Sequence, residues 1–474
     1  MSKIVIIGGG SYSWGPTFMR DMFGTPELSG STIVLQDISQ DRVDFVYALG
    51  QKMIQDFNLD FRLEKTLLLD EALQDADFVI LTITTGRLES MRHDLEIPAK
   101  YGIKQSVGDT TGPGGLSRAL RNIPVVAQMG RKVMEICPKA LFLNYTNPMT
   151  VLTRALTMQG VRAVGFCHEW ILVRGHLANI FTSIAQGGVP AAEDGDGSNN
   201  KENGGLSRKI ITPDQIEAKI AGVNHLIWVT DLYVNGKRVW DEMPAIADKI
   251  LSGEIRVNEG DTSVYVDHAK IKSTLFKAYG ALPAAGDRHV AEFFPHFINE
   301  STNWGADYDI RLTSVEDRQG MERFAKTLIE SALKGETDLK PFMEEISGEA
   351  ANKIIRAITC GGKYVGIMNL PNVGQVANLP YNAVVETYGV IDSTGAHAIA
   401  YGDVPVGVQN VLEHHVRQQE MTIEAALSGS RQLALQVLLN DPLSSRLRVE
   451  EASQMLEELL EANRSYLPKF FSRE

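Results

Sequence analysis

The chain of 474 residues is predicted to be an α/β protein, a Rossmann-like doubly wound parallel sheet followed by a second, mixed α+β domain. Three observations predict this. Short, continuously apolar runs recur through its first part with helical periodicity between them, the pattern of parallel strands buried on both faces. The first run stops at a triplet of glycines, and the second ends on an aspartate.

Taken in order, "KIVIIGGGSYSWG" reads as a strand, a glycine turn and the opening of a helix through "TFMRDMF". Such a turn lets the backbone approach a pyrophosphate, whose charge the free N–H groups at the helix start stabilise. Gly8 and Gly10 take the first two positions of a G-x-G-x-x-G fingerprint, Ser11 follows, and Ser13 replaces the third glycine. "STIVLQDI" is the second strand, with Asp37 placed to accept hydrogen bonds from a ribose, which favours NAD over NADP. "ADFVILTI", "ALFLNYTNP" and "VRAVGFCHEW" are further strands, and "RNIPVVAQMGRKVMEIC" a helix. Ligands gather at the carboxyl ends of such strands, where Thr84, Asn144, Asn147, Cys167 and His168 are expected to converge.

This nucleotide domain is expected to span 1–190, and 191–474 to carry substrate, metal and oligomer contacts. The polar stretch "AAEDGDGSNNKENGG", near 191–207, reads as a surface excursion. Beyond it, "QIEAKIAGVNHLIWVTDLYVNGKRVW" reads as strands with a hairpin at Asn235–Gly236, and the segments near 265–280 and 316–335 as helices. "KYVGIMNLPNVGQVANLPYNAVVETYGVID" has strand character, while the run through "EHHVRQQEMTIEAAL" is helical, with His414 and His415 read as packing residues.

A balance of 46 basic against 59 acidic residues repels a polyanion, so nucleic acid is not an expected partner. Cys137, Cys167 and Cys360 are odd in number and lack a CxxC, which argues against a disulfide framework. No apolar run approaches the roughly 18 residues of a membrane span, and no signal peptide pattern opens the chain. A soluble, cytoplasmic protein is expected, without a membrane partner.

Cys167 can be a small buried hydrophobe, or it can join His225 of "GVNHLIW" to hold a divalent ion while leaving positions open for substrate oxygens. In "AAGDRHVAEF", Asp287, Arg288, His289 and Glu292 form another polar cluster, where Asp287 can simply cap a helix. "GDTTGPGGLSRALR" carries Asp109 ahead of Arg118 and Arg121, which face either an anion or solvent.

Together "IGGGSYSWG", "GDTTGPGG", "NYTNPM", "GFCHEW", "GVNHLIW" and "AAGDRHVAEF" resemble the NAD- and manganese-dependent glycosidases of glycoside hydrolase family four, most closely the α-galacturonidase branch. The resemblance implies an ion held by Cys167 and His225, an acid at His168, a base for the C2 proton at Asp287, and sugar contacts from Asn147. It implies a route of C3 oxidation by NAD+, C2 deprotonation, elimination and water addition, with NAD+ regenerated each cycle, rather than hydrolysis by two opposed carboxylates. The acid position is an aspartate in some relatives. Manganese rests on the resemblance alone, since a thiolate favours softer ions; cobalt, nickel or ferrous iron are substitutes. Asp109, Arg87, Arg118, Arg288 and His289 complete the expected substrate contacts; Gly8, Gly10, Ser11, Ser13, Asp37 and Thr84 are the expected nucleotide contacts. The expected substrate is an α-galacturonide cleaved from the chain end, and the expected assembly a homodimer or homotetramer. α-Glucuronides and 6-phospho-α-glucosides are the neighbouring substrates. A sugar-acid dehydrogenase and a nucleotide-sensing protein without activity are the other classes that the nucleotide turn allows.

Overall fold

Six parallel strands in the order 3-2-1-4-5-6 form the first half of the sheet: β1 (Lys3–Ile7), β2 (Thr32–Gln36), β3 (Arg62–Thr66), β4 (Phe78–Leu81), β5 (Leu141–Asn144) and β6 (Ala163–Gly165). This is the Rossmann order, with its switch point between β1 and β4. The computed structural model describes residues 1–186, 210–261, 263, 265–345 and 347–472. The polar stretch near 191–207 and the expected boundary at 190 therefore lie outside the described residues. Five of the six strands are the apolar runs of the sequence. β3, "RLEKT", is a largely exposed edge strand without an apolar run to announce it.

The sheet does not end with β6. Asn369 of β11 (Tyr364–Pro371) pairs antiparallel with Gly165, and from there the order runs through β12 (Val384–Asp392), β7 (Ile216–Val223) and β8 (Leu226–Val234) to β10 (Leu282–Pro283). β9 (Lys237–Arg238) lies beside β8, and β13 (Gly395–Ala398) beside β12. The two halves thus share one 13-stranded sheet and differ in strand direction, parallel before residue 186 and antiparallel after 210.

The cores draw on residues from both parts of the chain. One face of the parallel half packs the Gly112–Ile136 and Met149–Thr157 helices together with the C-terminal helices Val406–Ser428, Arg431–Asn440 and Val449–Ala462, through Leu120, Ile123, Ile423, Leu438 and Leu459. The other face takes the Trp14–Phe23, Gln40–Asp56 and Ala351–Thr359 helices through Phe18, Val46 and Ile354. His415 is buried in this way against Phe293, as expected of a packing residue. All three cysteines are free, and no helix among the described residues is long and apolar enough to cross a membrane.

Two hairpin turns shape the antiparallel half. Asn235 and Gly236 both have positive φ, which matches the right-handed twist of β8 and β9. Between β7 and β8 the turn is Asn224–His225, flanked by the Val223–Leu226 pair, and His225 adopts a φ of 65°. A histidine held in the left-handed region signals strain sustained by its surroundings.

Candidate functional site

The glycine turn after β1 is built to admit a ligand. Gly8 has a φ of 86°, and a Cβ there would lie 2.1 Å from Thr82 O. Gly8 N and Gly9 N donate to Gln36 O, and Gly10 N donates to Asp37 Oδ2 at 3.0 Å. A Cβ on Gly10 would meet that same carboxylate at 2.8 Å, so the turn and Asp37 form one side-chain-free cradle. Ser11 Oγ accepts from Trp14 N at 3.2 Å, and Ser13 occupies the N-cap position of the Trp14–Phe23 helix. These placements fit a dinucleotide with its pyrophosphate on the helix start and its ribose on Asp37.

Cys167, just past β6, and His225, in the hairpin turn, come together: Sγ and Nε2 are 3.4 Å apart. The tautomer of His225 follows from its neighbours. Thr110 Oγ1 donates its one proton to Asp109 Oδ1 at 2.7 Å, so at 2.8 Å from His225 Nδ1 it can only accept. Nδ1 therefore carries the proton, and Nε2 presents a lone pair toward Cys167. Burial, reinforced by the charge of His289, pushes the His225 pKa down to about 3, which keeps the ring neutral. Burial pushes the Cys167 thiol well up, assisted by Glu386 and Glu169. Asp109, His225 and His289 each offer a ligand atom within 4.8 Å of the others. Beside them Asn147 Nδ2 donates to Asp109 Oδ2 at 3.1 Å, while its buried Oδ1 has no partner among the described residues. A thiol that gives up its proton on metal binding, imidazole and carboxylate donors, and an orphaned oxygen alongside fit a divalent transition ion with open positions.

The loop bearing Asp109 is fixed from two sides. Glu292 accepts from Val107 N at 2.5 Å and Gly108 N at 3.0 Å. The "GPGG" that follows lets the Gly112–Ile136 helix start against the loop, for a Cβ on Gly115 would lie 2.5 Å from Thr110 C. Asp109 is buried. That burial opposes its charge, but His225, Arg118 and His289 outweigh it and hold the carboxyl well below the usual range.

A chain of charges runs outward from here. His289 stacks on His225 with ring centroids 3.7 Å apart, and its Nε2 is 3.5 Å from Glu169 Oε1. Burial disfavours charge on His289, yet Glu169 and Asp109 raise its pKa. Glu169 also accepts from Gly286 N at 2.6 Å and lies 3.9 Å from His168 Nε2. His168 is held on its other side by Glu349, 3.6 Å from Nδ1, and that carboxylate is the main reason its pKa is raised. Glu169 and Glu349 escaped the sequence reading. Glu169 was within "GFCHEW"; nothing in the spacing marks Glu349.

The Asp287 carboxylate is heavily hydrogen-bonded: Oδ2 accepts from Ile271 N at 2.8 Å, and Oδ1 from Lys272 N at 3.1 Å and Lys272 Nζ at 2.9 Å. The carboxylate caps the Lys270–Tyr279 helix and shares Lys272 with Asp267, so three donors engage it, two on Oδ1 and one on Oδ2. Asp287 does cap a helix, but the one starting at Lys270 rather than one starting near His289. His289, two residues on, reaches the ion cluster instead.

The arginines divide as well. Arg121 is fully buried in a bidentate pair with Asp94 and is structural. The Arg87 side chain is 60% exposed, and among the described residues Glu322, at 4.0 Å, is its one acidic partner. Arg118 donates Nε to Asn147 O at 3.0 Å and Nη2 to Thr84 Oγ1 at 3.4 Å, which bonds the expected nucleotide contact Thr84 to the sugar-side turn. Asn144 is buried and serves the same turn, accepting from Thr146 N at 2.9 Å.

Known proteins resemble the whole chain. The family profile described as "Family 4 glycosyl hydrolase" matches residues 3–183, and its C-terminal domain profile matches residues 220–444. An alpha-galacturonidase of Bacillus subtilis is 34% identical over 97% of both chains, and one of Thermoanaerobacter italicus 33% identical over 98% of this chain and 97% of its own. The crystal structure of lplD from Bacillus subtilis superposes with a TM-score of 0.84 at 31% identity, covering 97% of this chain and all of that one. A 6-phospho-alpha-glucosidase from gut microorganisms, solved with NAD and Mn2+, shares the fold at 21% identity and a TM-score of 0.76 over 98% of this chain and 99% of that one.

Proposed function

Because the chain belongs to the family 4 glycosyl hydrolases, we propose that this glycosidase is an exo-acting α-galacturonidase that uses NAD+ and a divalent ion. The observation that carries the reading is the meeting of Cys167 and His225 at 3.4 Å at the carboxyl end of the sheet that carries the nucleotide turn. The α-galacturonidases aligned over nearly the whole chain support the substrate class. When bound, NAD+ supplies a hydride acceptor for C3, and the ion supplies Lewis-acid stabilisation of charge on the C2 and C3 oxygens.

Gly8, Gly10 and Asp37 hold the dinucleotide. Cys167 and His225 hold the ion, Thr110 fixing the His225 ring so that the Nε2 lone pair faces Cys167. Asn147, with a buried Oδ1 lacking a partner among the described residues, receives a sugar hydroxyl. His289 accepts the C2 proton, oriented by Glu169. With an ion held by Cys167 and His225, its charge would disfavour a proton on the stacked His289 ring and leave that ring able to accept one. His168, its proton retained by Glu349, donates to the departing glycosidic oxygen. Cys167 also lines a cavity of about 510 Å³ that runs past Glu349 and Tyr364, which gives the leaving group space on the side of His168's partner.

The test is a comparison of rates on α-galacturonide, α-glucuronide, neutral α-galactoside and 6-phospho-α-glucoside, each with NAD+, Mn2+ and a thiol reductant. The highest kcat/KM on α-galacturonide is expected. Preference for the phosphosugar, or equal turnover of the neutral galactoside, overturns the substrate assignment.

A further inference from the structure

Two arginines, Arg288 next to the ion cluster and Arg318 on the helix that follows Thr313, hold guanidinium groups with no acidic partner among the described residues. Arg288 is 6% exposed, directly precedes His289, and commits Nη2 to Ser106 O at 3.1 Å and to Thr313 Oγ1. Its Nε is buried and bonded to nothing described. Arg318 likewise has a buried Nε without a partner.

The backbone joins the two. Thr313, which holds Arg288, donates its N–H to Ser106 O at 3.2 Å. Ser314 then caps the Val315–Leu333 helix, and Arg318 stands one turn along it, closing on Ser314 O. The charge of Arg318 lowers the pKa of both Arg288 and Arg118, in each case adding to burial.

The nearby acids are already engaged. Glu316 pairs with Arg92 at 2.7 Å, Glu322 with Arg42 at 2.6 Å, and Asp317 with Ser314 and Arg311. Glu292 is filled by Val107 N, Gly108 N and Ser106 Oγ. Arg118, although it too lacks an acidic partner, is committed to Asn147 and Thr84. The Arg288 guanidinium is buried beneath the Tyr265 ring, 5.1 Å from its centroid, whereas Arg318 is half-buried with only its Nε fully enclosed. An anion completes donors left unpaired in this way, and the planar guanidinium forks match a carboxylate.

We propose that Arg288 and Arg318 together recognise the C6 carboxylate of the sugar, with Arg118 positioning the Asn147 turn. The inference rests on the α-galacturonide reading and names the residues that give it specificity. Arg318 was not singled out by sequence motif, because it lies in an ordinary helical stretch, "SVEDRQGMERF".

The experiment measures the ratio of kcat/KM on α-galacturonide to that on neutral α-galactoside in wild type, Arg318→Gln and Arg318→Lys. Binding of free galacturonate to each protein with NAD+ and Mn2+ is measured by calorimetry. Arg318→Gln should lower the ratio about 30-fold, as loss of a charged hydrogen bond does. Arg318→Lys, which keeps the charge and loses the planar fork, should lower it about tenfold. Galacturonate affinity should fall in parallel. An unchanged ratio in either folded variant, including equal loss on both substrates, overturns the role of Arg318. A wild type that itself prefers the neutral or the phosphorylated sugar overturns the substrate reading instead, so the two failures are separable.

Discussion

Replacing Glu386 by Gln separates the charge of a buried acid from its hydrogen bonds, at a point that the Cys167 thiol feels. Glu386 lies on β12 opposite Asn369 of β11, is 1% exposed, and accepts from Asn224 Nδ2 at 3.0 Å. Burial pushes its pKa from 4.5 to about 7, against the opposing effect of the two asparagines. The orphaned Oδ1 atoms of Asn224 and Asn369 provide acceptors for a protonated acid. A folded pKa above the unfolded one means that the native state binds the proton more tightly. The stability this gives is complete below about 4.5 and is lost as pH rises through about 7. Gln retains the acceptor toward Asn224 and offers an N–H in place of the acid proton, with no charge to desolvate.

Urea unfolding of the metal-stripped protein should therefore find Glu386→Gln about as stable as wild type near pH ~5 and about 3 kcal/mol more stable near pH ~9. A stability difference that is the same at both pH values, or a variant less stable than wild type in alkali, refutes the reasoning. Either result would mean that Glu386 is ionised in the fold and served by donors at no net cost.

Cys167→Ser and His225→Ala should each lose bound metal, read by elemental analysis after dialysis, while NAD+ affinity measured by calorimetry stays near the wild-type value. Gly8→Ala should weaken NAD+ binding and lower the melting temperature, because its φ of 86° and the 2.1 Å approach to Thr82 O leave no room for a Cβ. His289→Gln should depress cleavage by about a hundredfold or more, the usual contribution of a general base. The same variant should abolish deuterium uptake at C2 in product made in D2O; undiminished uptake would remove His289 from that role.

The parallel half was legible because strands buried on both faces must be continuously apolar, and because a glycine turn and Asp37 punctuate them at fixed places. β3 was not, since an edge strand with one face in solvent needs no such run. The single sheet could not be read either: it depends on one antiparallel pair, Asn369 with Gly165, made between segments far apart in sequence. The metal-holding pairing of Cys167 and His225 was suggested by residue type and resemblance, but their approach is a product of the sheet order. Asp287 shows the opposite limit. Its place in "AAGDRHVAEF" suggested chemistry, whereas its carboxylate is engaged at a helix start sixteen residues upstream. Glu169, Glu349 and Arg318 act through tertiary neighbours, and no local pattern identifies them.

The most direct test of redox-neutral cleavage is to supply α-galacturonide in large excess over NAD+, with Mn2+ and a thiol reductant, and to follow free galacturonate and NADH absorbance together. Product exceeding the NAD+ many-fold while NADH stays at a small constant level is the predicted result. NADH accumulating one for one with product contradicts the account and makes the protein a dehydrogenase.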